Sequence, residues 1–336
     1  MATSDSQSTL SFPRETFAKL SPHSYLLAHL QPSSPSSAPL RANSRSPTQP
    51  RQPHIHTGSL THACGSAVVR IGDTTVVCGV RGEILLASDA AGYRSTSTAA
   101  SVTQSEAQAL DLLVPNVELA TGCAPAFLPG MPPSKRAQEL VSRIYALLHA
   151  SAVVDSEELR IWGPRAADEE EENEETVLEV KAFWTLYIDI LFISLDGNPF
   201  DVAWASVIGA LKDVQLPKAT WDADSGAVVC SDSVEEAKWL SLRGLPIAVG
   251  FAVFKVNENM ANQGVNGKRW LLMDPDSFEE DLCDETVTVL LDCAEGKTKV
   301  LGIEKVGGTV VGRSEMRELV TMAETRWEQW NNLFKG

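Results

Sequence analysis

HIHTGSLTHACGSAVVRIGDTTVVCGVRGEILL, residues 54 to 86, is the stretch whose pattern decides the fold. β-Branched and small residues alternate on both sides of Gly72–Asp73, and a period of two is the signature of a strand with one face buried. A two-residue turn led by glycine matches the right-handed twist of the strands it joins, so the stretch predicts a β-hairpin. Its register should set Val69 and Ile71 across from Thr75 and Val77 or their neighbours.

Upstream of the hairpin, residues 12 to 30 read as a helical entry in which Ser21 caps a helix opened by Pro22 and carrying Tyr25, Leu26, Leu27 and Leu30. QPSSPSSAPLRANSRSPTQPRQP, residues 31 to 53, is rich in Pro and Ser and reads as a linker, extended unless something clamps it. Downstream, residues 87 to 113 lack a period and predict a long loop before the strand-like VPNVELA. A helix is expected from about Ser134 to Ser151, with Leu140, Ile144, Leu147 and Leu148 on its apolar face. TVLEVKAFWTLYIDILFISLDG predicts two or more strands, and Asp196-Gly197-Asn198 turns the chain into the helix PFDVAWASVIGALKDV. That helix is apolar or small on nearly every face, so it should lie sandwiched between layers, with Pro217 as its stop. PIAVGFAVFKV, RWLLMD, TVTVLLDC and KVLGI read as further strands before a last helix striped by Met316, Leu319, Ala323, Trp327, Trp330 and Phe334. The sum is an α+β layout in two similar halves.

The composition excludes several classes. No run of eighteen apolar residues is present, so no membrane-spanning helix is expected. MATSDSQSTL carries no charged-then-apolar signal, which predicts an intracellular protein. The six cysteines are scattered without a Cys-x-x-Cys pair, arguing against a disulfide framework or a zinc ribbon. Net charge is -16, but residues 1 to 100 hold eight Lys/Arg against five Asp/Glu, a net of +3 that leaves -19 on the remainder. Any nucleic-acid contact must therefore be a local basic patch. DEEEENEE, residues 168 to 175, repels itself and reads as a solvated loop.

Among chemistry-bearing clusters, His54, His56, His62 and Cys64 lie on strands without metal-ligand spacing. Gly307-Gly308 lacks the Gly-Lys-Ser/Thr of a phosphate loop, so neither metal nor cofactor is expected. Asp274, Asp276, Glu279, Glu280 and Asp281 cluster in MDPDSFEED, where they could hold magnesium or simply complement a helix dipole. Arg41 and Arg45 in the linker, with Lys135, Arg136 and Arg143 on one helix, are the candidates for touching nucleic-acid phosphate.

GSLTHACGSAVVRIGDTTVVCGVRGEI resembles the opening hairpin of the RNase PH family, and FPRETFAKL the N-terminal helix of its eukaryotic exosome relatives. VPNVELATGCAPAF, PPSKRAQELVSRI, LDGNPFDVAWASVIGALKDVQLP, LPIAVGFAVF and LLMDPDSFEEDLCD continue the likeness in order, over most of residues 12 to 334. The resemblance implies the RNase PH fold, two sheet-and-helix halves with central helices between sheets. It divides the chain into an N-terminal helix and linker, 1–53, and one domain, 54–336, with an acidic insertion at 165–176. It implies a ring subunit of the RNA exosome whose partners are other RNase PH-like subunits, a ribosomal RNA-processing protein 46 type foremost, with cap subunits, associated hydrolytic nucleases and RNA. Nucleus, nucleolus and cytoplasm are the implied locations.

Active relatives clasp phosphate with a Gly-Ser/Thr-Arg turn. Here the matching residues are Gly197, Asn198 and Pro199. Proline donates no backbone N–H and the bidentate guanidinium is missing. No Asp-x-x-x-x-Glu-Asp segment precedes LPIAVGF, and MDPDSFEED comes one strand later. Removing one electrostatic group of this kind costs about 10²- to 10³-fold in rate, so the resemblance implies no catalysis; the rival is an active phosphorolytic 3'-to-5' exoribonuclease. Two further departures are Ser44, where relatives carry Gly in Arg41–Arg45, and Ala126 with Leu128, where relatives often carry basic residues.

Overall fold

The computed structural model describes residues 13–31, 38–90, 93, 103–129, 132, 134–165, 178–255, 269–308 and 311–335. Helices α1 (Arg14–Leu20) and α2 (Pro22–Leu30) precede strands β1 (Pro53–Thr57), β2 (Gly65–Ile71) and β3 (Thr74–Leu86). Then come α3 (Thr103–Ala109), β4 (Leu113–Leu119), α4 (Lys135–Ser151), β5 (Arg160–Pro164), β6 (Leu178–Ser194) and α5 (Pro199–Lys212). Short strands β7 (Gln215–Leu216), β8 (Ala219–Asp222), β9 (Ala227–Cys230) and β10 (Lys238–Trp239) lead to β11 (Ile247–Lys255) and β12 (Arg269–Met273). Helix α6 (Ser277–Leu282), strands β13 (Glu285–Asp292) and β14 (Lys299–Val306), and helix α7 (Arg313–Lys335) complete the chain.

The hairpin forms β2 and β3 around Gly72, whose φ is +59°, with Val69 opposite Val76 and Ile71 opposite Thr74, one residue from the expected partners. It sits in a six-stranded sheet ordered β1-β2-β3-β6-β4, with β5 also paired to β6. A second sheet runs β12-β11-β13-β14. Helix α5 lies between them, packed on β2 and β3 on one side and β11 on the other. That placement explains its composition, since every residue from Pro199 to Leu211 is buried. Trp204 is fully buried and its indole N–H donates to the Pro246 carbonyl at 2.8 Å, so its polar atom is satisfied in the core. Truncating such a side chain to alanine costs about 3–5 kcal/mol.

Strand β11 is buried from Ile247 to Phe254 on both faces. Its inner face meets α5, while Ala252 and Phe254 pack with Leu26 and Leu30 of α2, Trp270 and Leu272. The outer face of the first sheet is different. Leu60, Leu191 and Ile193 stay 42%, 38% and 53% exposed, and Leu60 and Leu191 line a shallow apolar cavity of about 490 Å³ with Val77, Arg81 and Asp189.

Several expectations need correction. TVLEVKAFWTLYIDILFISLDG holds one strand of 17 residues, because β6 pairs with β5 along its start, β3 along most of its length and β4 along its end. The aperiodic 87–113 stretch contains α3, with Ala107 buried. Helix α5 ends at Lys212, ahead of Pro217. Ser21 precedes α2 without a side-chain cap. The acidic run 168–175 lies outside the described residues.

Candidate functional site

The turn at the end of β6 is held from the hairpin. The Thr74 hydroxyl accepts the Asp196 N–H at 2.9 Å and donates to the Gly197 carbonyl at 3.2 Å. Gly197 has φ +71° and Asn198 +49°, and Pro199 opens α5. Only glycine fits at 197, where a Cβ would stand 2.4 Å from the Asp276 carbonyl carbon and 2.6 Å from the Ser277 nitrogen. Pro199 at the first helical position contributes no N–H, and α5 has no side-chain cap from Asn198.

That contact with Asp276 corrects a reading made from chain order. MDPDSFEED follows a later strand, yet it packs directly on the Gly197–Pro199 turn. Asp274 sits 2% exposed in a grip by Arg51, whose Nε and Nη2 donate to its two oxygens at 3.0 and 2.7 Å. The Arg51 backbone N–H adds a bond at 2.8 Å and Asn198 Nδ2 another at 3.0 Å. Burial alone would raise the Asp274 pKa; the Arg51 bonds and charge, with Arg326 and Asn198, reverse this and hold it at about 2. Burial likewise opposes the Arg51 charge, but Asp274 outweighs it and the guanidinium pKa rises. A bidentate Arg–carboxylate pair of this kind is ionised on both sides and fixed in orientation.

One turn into α5, Asp201 receives Asn198 Nδ2 at 2.8 Å and the Gly250 N–H at 2.6 Å on one oxygen. Its other oxygen has no hydrogen-bond partner. Burial dominates, and the Asp201 pKa rises to about 7 despite those two bonds.

The proposed RNA-contacting cations divide into two groups. Arg41 is fully buried, bonded to Glu279 at 3.1 Å and to the carbonyls of Pro47, Met273 and Asp274. Its Nη atoms meet these acceptors and its Nε, which has no hydrogen-bond partner, is buried too, so Arg41 presents no donor at the surface to an RNA phosphate. Desolvation draws its pKa down to about 10, with Glu279 opposing, which still leaves it charged at neutral pH. Arg45 is 13% exposed and faces Asp274, Asp276 and Glu279 within 4.0 Å, so its charge is already met by three carboxylates. Together with Arg51 these residues dock the chain from 38 to 52 onto the segment between β12 and α6.

Arg136 and Arg143 go elsewhere. Both project from α4 onto a cavity of about 230 Å³ lined also by Asn198, Pro199, Phe200, Gly250, Glu280 and Thr288. Arg143 pairs with Glu304 at 2.7 Å, donates to the Thr288 hydroxyl and stacks over Phe200 at 3.8 Å. Lys135 is exposed at the start of α4, whose N-cap Ser134 accepts from the Ala137 N–H, and it does not line the cavity. Across the cavity, Glu280 reaches the turn. One oxygen accepts the Asn198 N–H at 2.6 Å and the other accepts Arg136 Nη2 at 2.7 Å.

Sequence reasoning passed over Arg51 and the role of Glu280. Arg51 sits in PRQP without a motif, and its partner Asp274 is 223 residues away. The available signal was balance: a carboxylate cluster next to an apolar strand requires buried cations to match it.

The profile of the 3' exoribonuclease family, domain 1 (RNase PH), matches residues 49–217, half of the chain. The chain belongs to the RNase PH family. Its RNase PH fold is shared with a solved structure described as an Archaeoglobus fulgidus exosome with RNA bound to the active site. That likeness has a TM-score of 0.62 at 23% identity, covering 93% of this chain and 97% of that one. Among curated relatives, exosome complex component rrp43 of Schizosaccharomyces pombe is 29% identical over 95% of this chain and 97% of its own length. Exosome complex component Rrp42 of Thermococcus gammatolerans is 27% identical over 75% of this chain and 74% of its own. Within this RNase PH-family chain the turn at Gly197–Pro199, the acidic segment 274–280 and the arginines of α4 converge on one place.

Proposed function

We propose that this chain is a non-catalytic ring subunit of the eukaryotic RNA exosome, which supports 3'-to-5' RNA processing and degradation by building the RNA channel and docking cap subunits. Its similarity to the S. pombe component along nearly the whole of both chains supports the ring assignment. The observation that carries the non-catalytic reading is the clamped state of the turn. Asn198 and Pro199 bring no guanidinium, and of the two buried carboxylates beside them, Asp201 and Asp274, Asp274 is locked to Arg51 while Asp201 is tied to Asn198 and the Gly250 N–H. A carboxylate held at a pKa of about 2 cannot donate a proton near neutral pH.

In this reading the partners are other RNase PH-like subunits, a ribosomal RNA-processing protein 46 type the nearest, with caps and hydrolytic nucleases around them. Leu191 and Ile193, two residues apart and exposed on the outer face of the first sheet, with Leu60 beside Leu191, support such packing on a charged protein. Nucleus, nucleolus and cytoplasm are the proposed locations. Affinity purification with mass spectrometry tests the assignment: ring and cap subunits in equal amounts are expected, and recovery of the chain by itself contradicts it.

The rival, an active phosphorolytic enzyme, draws on Arg136 and Arg143 beside the cavity. Release of nucleoside diphosphates from RNA in the presence of phosphate would favour it.

A further inference from the structure

Three observations meet at the cavity between α4, α5 and α6. The first is a donor set that suits an oxyanion: the Asn198 N–H at the start of a buried 14-residue helix, whose dipole favours negative charge there, and the Arg136 guanidinium opposite. The second is that a carboxylate already occupies this donor set. Glu280 bridges both donors, one oxygen to each, at 2.6 and 2.7 Å, and its side chain is 20% exposed. The third is that the carboxylate comes from another element, 82 residues further along the chain. It is held in place by the capping box of α6, in which Asp276 and Glu279 bond each other's backbone N–H groups, and by the Asp274–Arg51 pair.

We infer that Glu280 is a resident anion: its carboxylate fills the seat at the α5 N-terminus that a tetrahedral oxyanion would otherwise take, and so keeps the pocket closed to inorganic phosphate. The inference deepens the non-catalytic reading, resting on it only in concerning the same turn. It adds a cause. The pocket is silent because the chain supplies its own ligand, not solely because a guanidinium is missing from the turn. The satisfied α5 terminus and the α4–α6 contact are then independent of the phosphate concentration around the protein. Burial pushes the Glu280 carboxyl pKa up on balance, and Arg136 and the Asn198 N–H oppose this; the two hydrogen bonds, not the titration, carry the inference.

The test is calorimetric titration of the full chain with inorganic phosphate, against sodium chloride of equal ionic strength. Glu280→Ala should bind phosphate roughly 10- to 100-fold more tightly than the wild type, the range expected for one hydrogen-bonded charged group. The double variant Glu280→Ala/Arg136→Ala should lose that gain. A folded Glu280→Ala protein that titrates like the wild type overturns the inference, as does a wild type that already binds phosphate as well as the variant. Should Glu280→Ala not fold, Glu280→Ser decides, because it vacates the seat, removes the charge and keeps a polar side chain. Phosphate should raise its Tm where the wild type shows no response, and equal responses overturn the inference. Failure here is separable from failure of the ring assignment. A variant that gains no phosphate binding yet still co-purifies with ring subunits sinks only the resident anion, and a wild type recovered alone sinks only the ring.

Discussion

Ser44 holds φ at +66°, a region that glycine enters freely and other L-residues at a cost of roughly 1 kcal/mol. The turn it makes, closed by Arg41 N–H to Arg45 O at 2.8 Å, is what aims Arg41 and Arg45 at the acidic segment. Ser44→Gly should therefore raise stability by about 0.5–1 kcal/mol, read as a higher urea midpoint at unchanged slope. Asp201 works in the opposite sense with pH. Its folded pKa of about 7 lies above the unfolded value of roughly 3.9, so its contribution to stability is complete below pH 4 and fades as pH rises through 7. Asp274, held at about 2, contributes above pH 4 and loses its contribution as pH falls toward 2. Urea melts of wild type and Asp201→Asn at pH 5, 6, 7 and 8 isolate the first effect. The variant should gain on the wild type as pH rises; a constant difference across the series would contradict the burial of an uncharged Asp201.

At the scale of elements, the clasp formed by residues 38–52 depends on Arg51. Removing one partner of a buried ion pair leaves the other charge uncompensated, typically at 3–5 kcal/mol. Arg51→Met should destabilise by about that much, while Asp274→Asn in the same background should recover part of the loss, which a double-mutant cycle in urea measures. How much of the molecule could be read beforehand also varies by element. The hairpin, α4 and α7 were legible because their apolar periods of two and of three to four residues stand out. Strand β6 was not, since a continuous apolar run has no internal sign of which neighbour pairs with which part of it. Helix α3 was hidden by a composition of Thr, Gln, Ser and Ala that carries no stripe. Gly197–Pro199 could be read locally, whereas the pairs that complete the site, Arg51–Asp274 and Glu280–Asn198, join segments 223 and 82 residues apart, which chain order disguised.

For the whole molecule, a net charge of -16 sets its expected behaviour in isolation. It should bind RNA weakly and with little sequence preference, because the basic side chains nearest the turn are largely paired with carboxylates. The outer face of the first sheet offers the complementary prediction. Leu191→Glu with Ile193→Glu should leave the Tm within a few degrees of wild type, since both side chains face solvent, yet strip ring partners from an affinity purification. Retention of those partners would place the contact elsewhere. The silent turn itself is tested most directly by giving the purified chain, alone and with its ring partners, single-stranded RNA and inorganic phosphate and measuring nucleoside diphosphate release. None is expected above the background of a sample lacking this chain. Release that disappears on Asp196→Asn or Asp274→Asn would contradict the account.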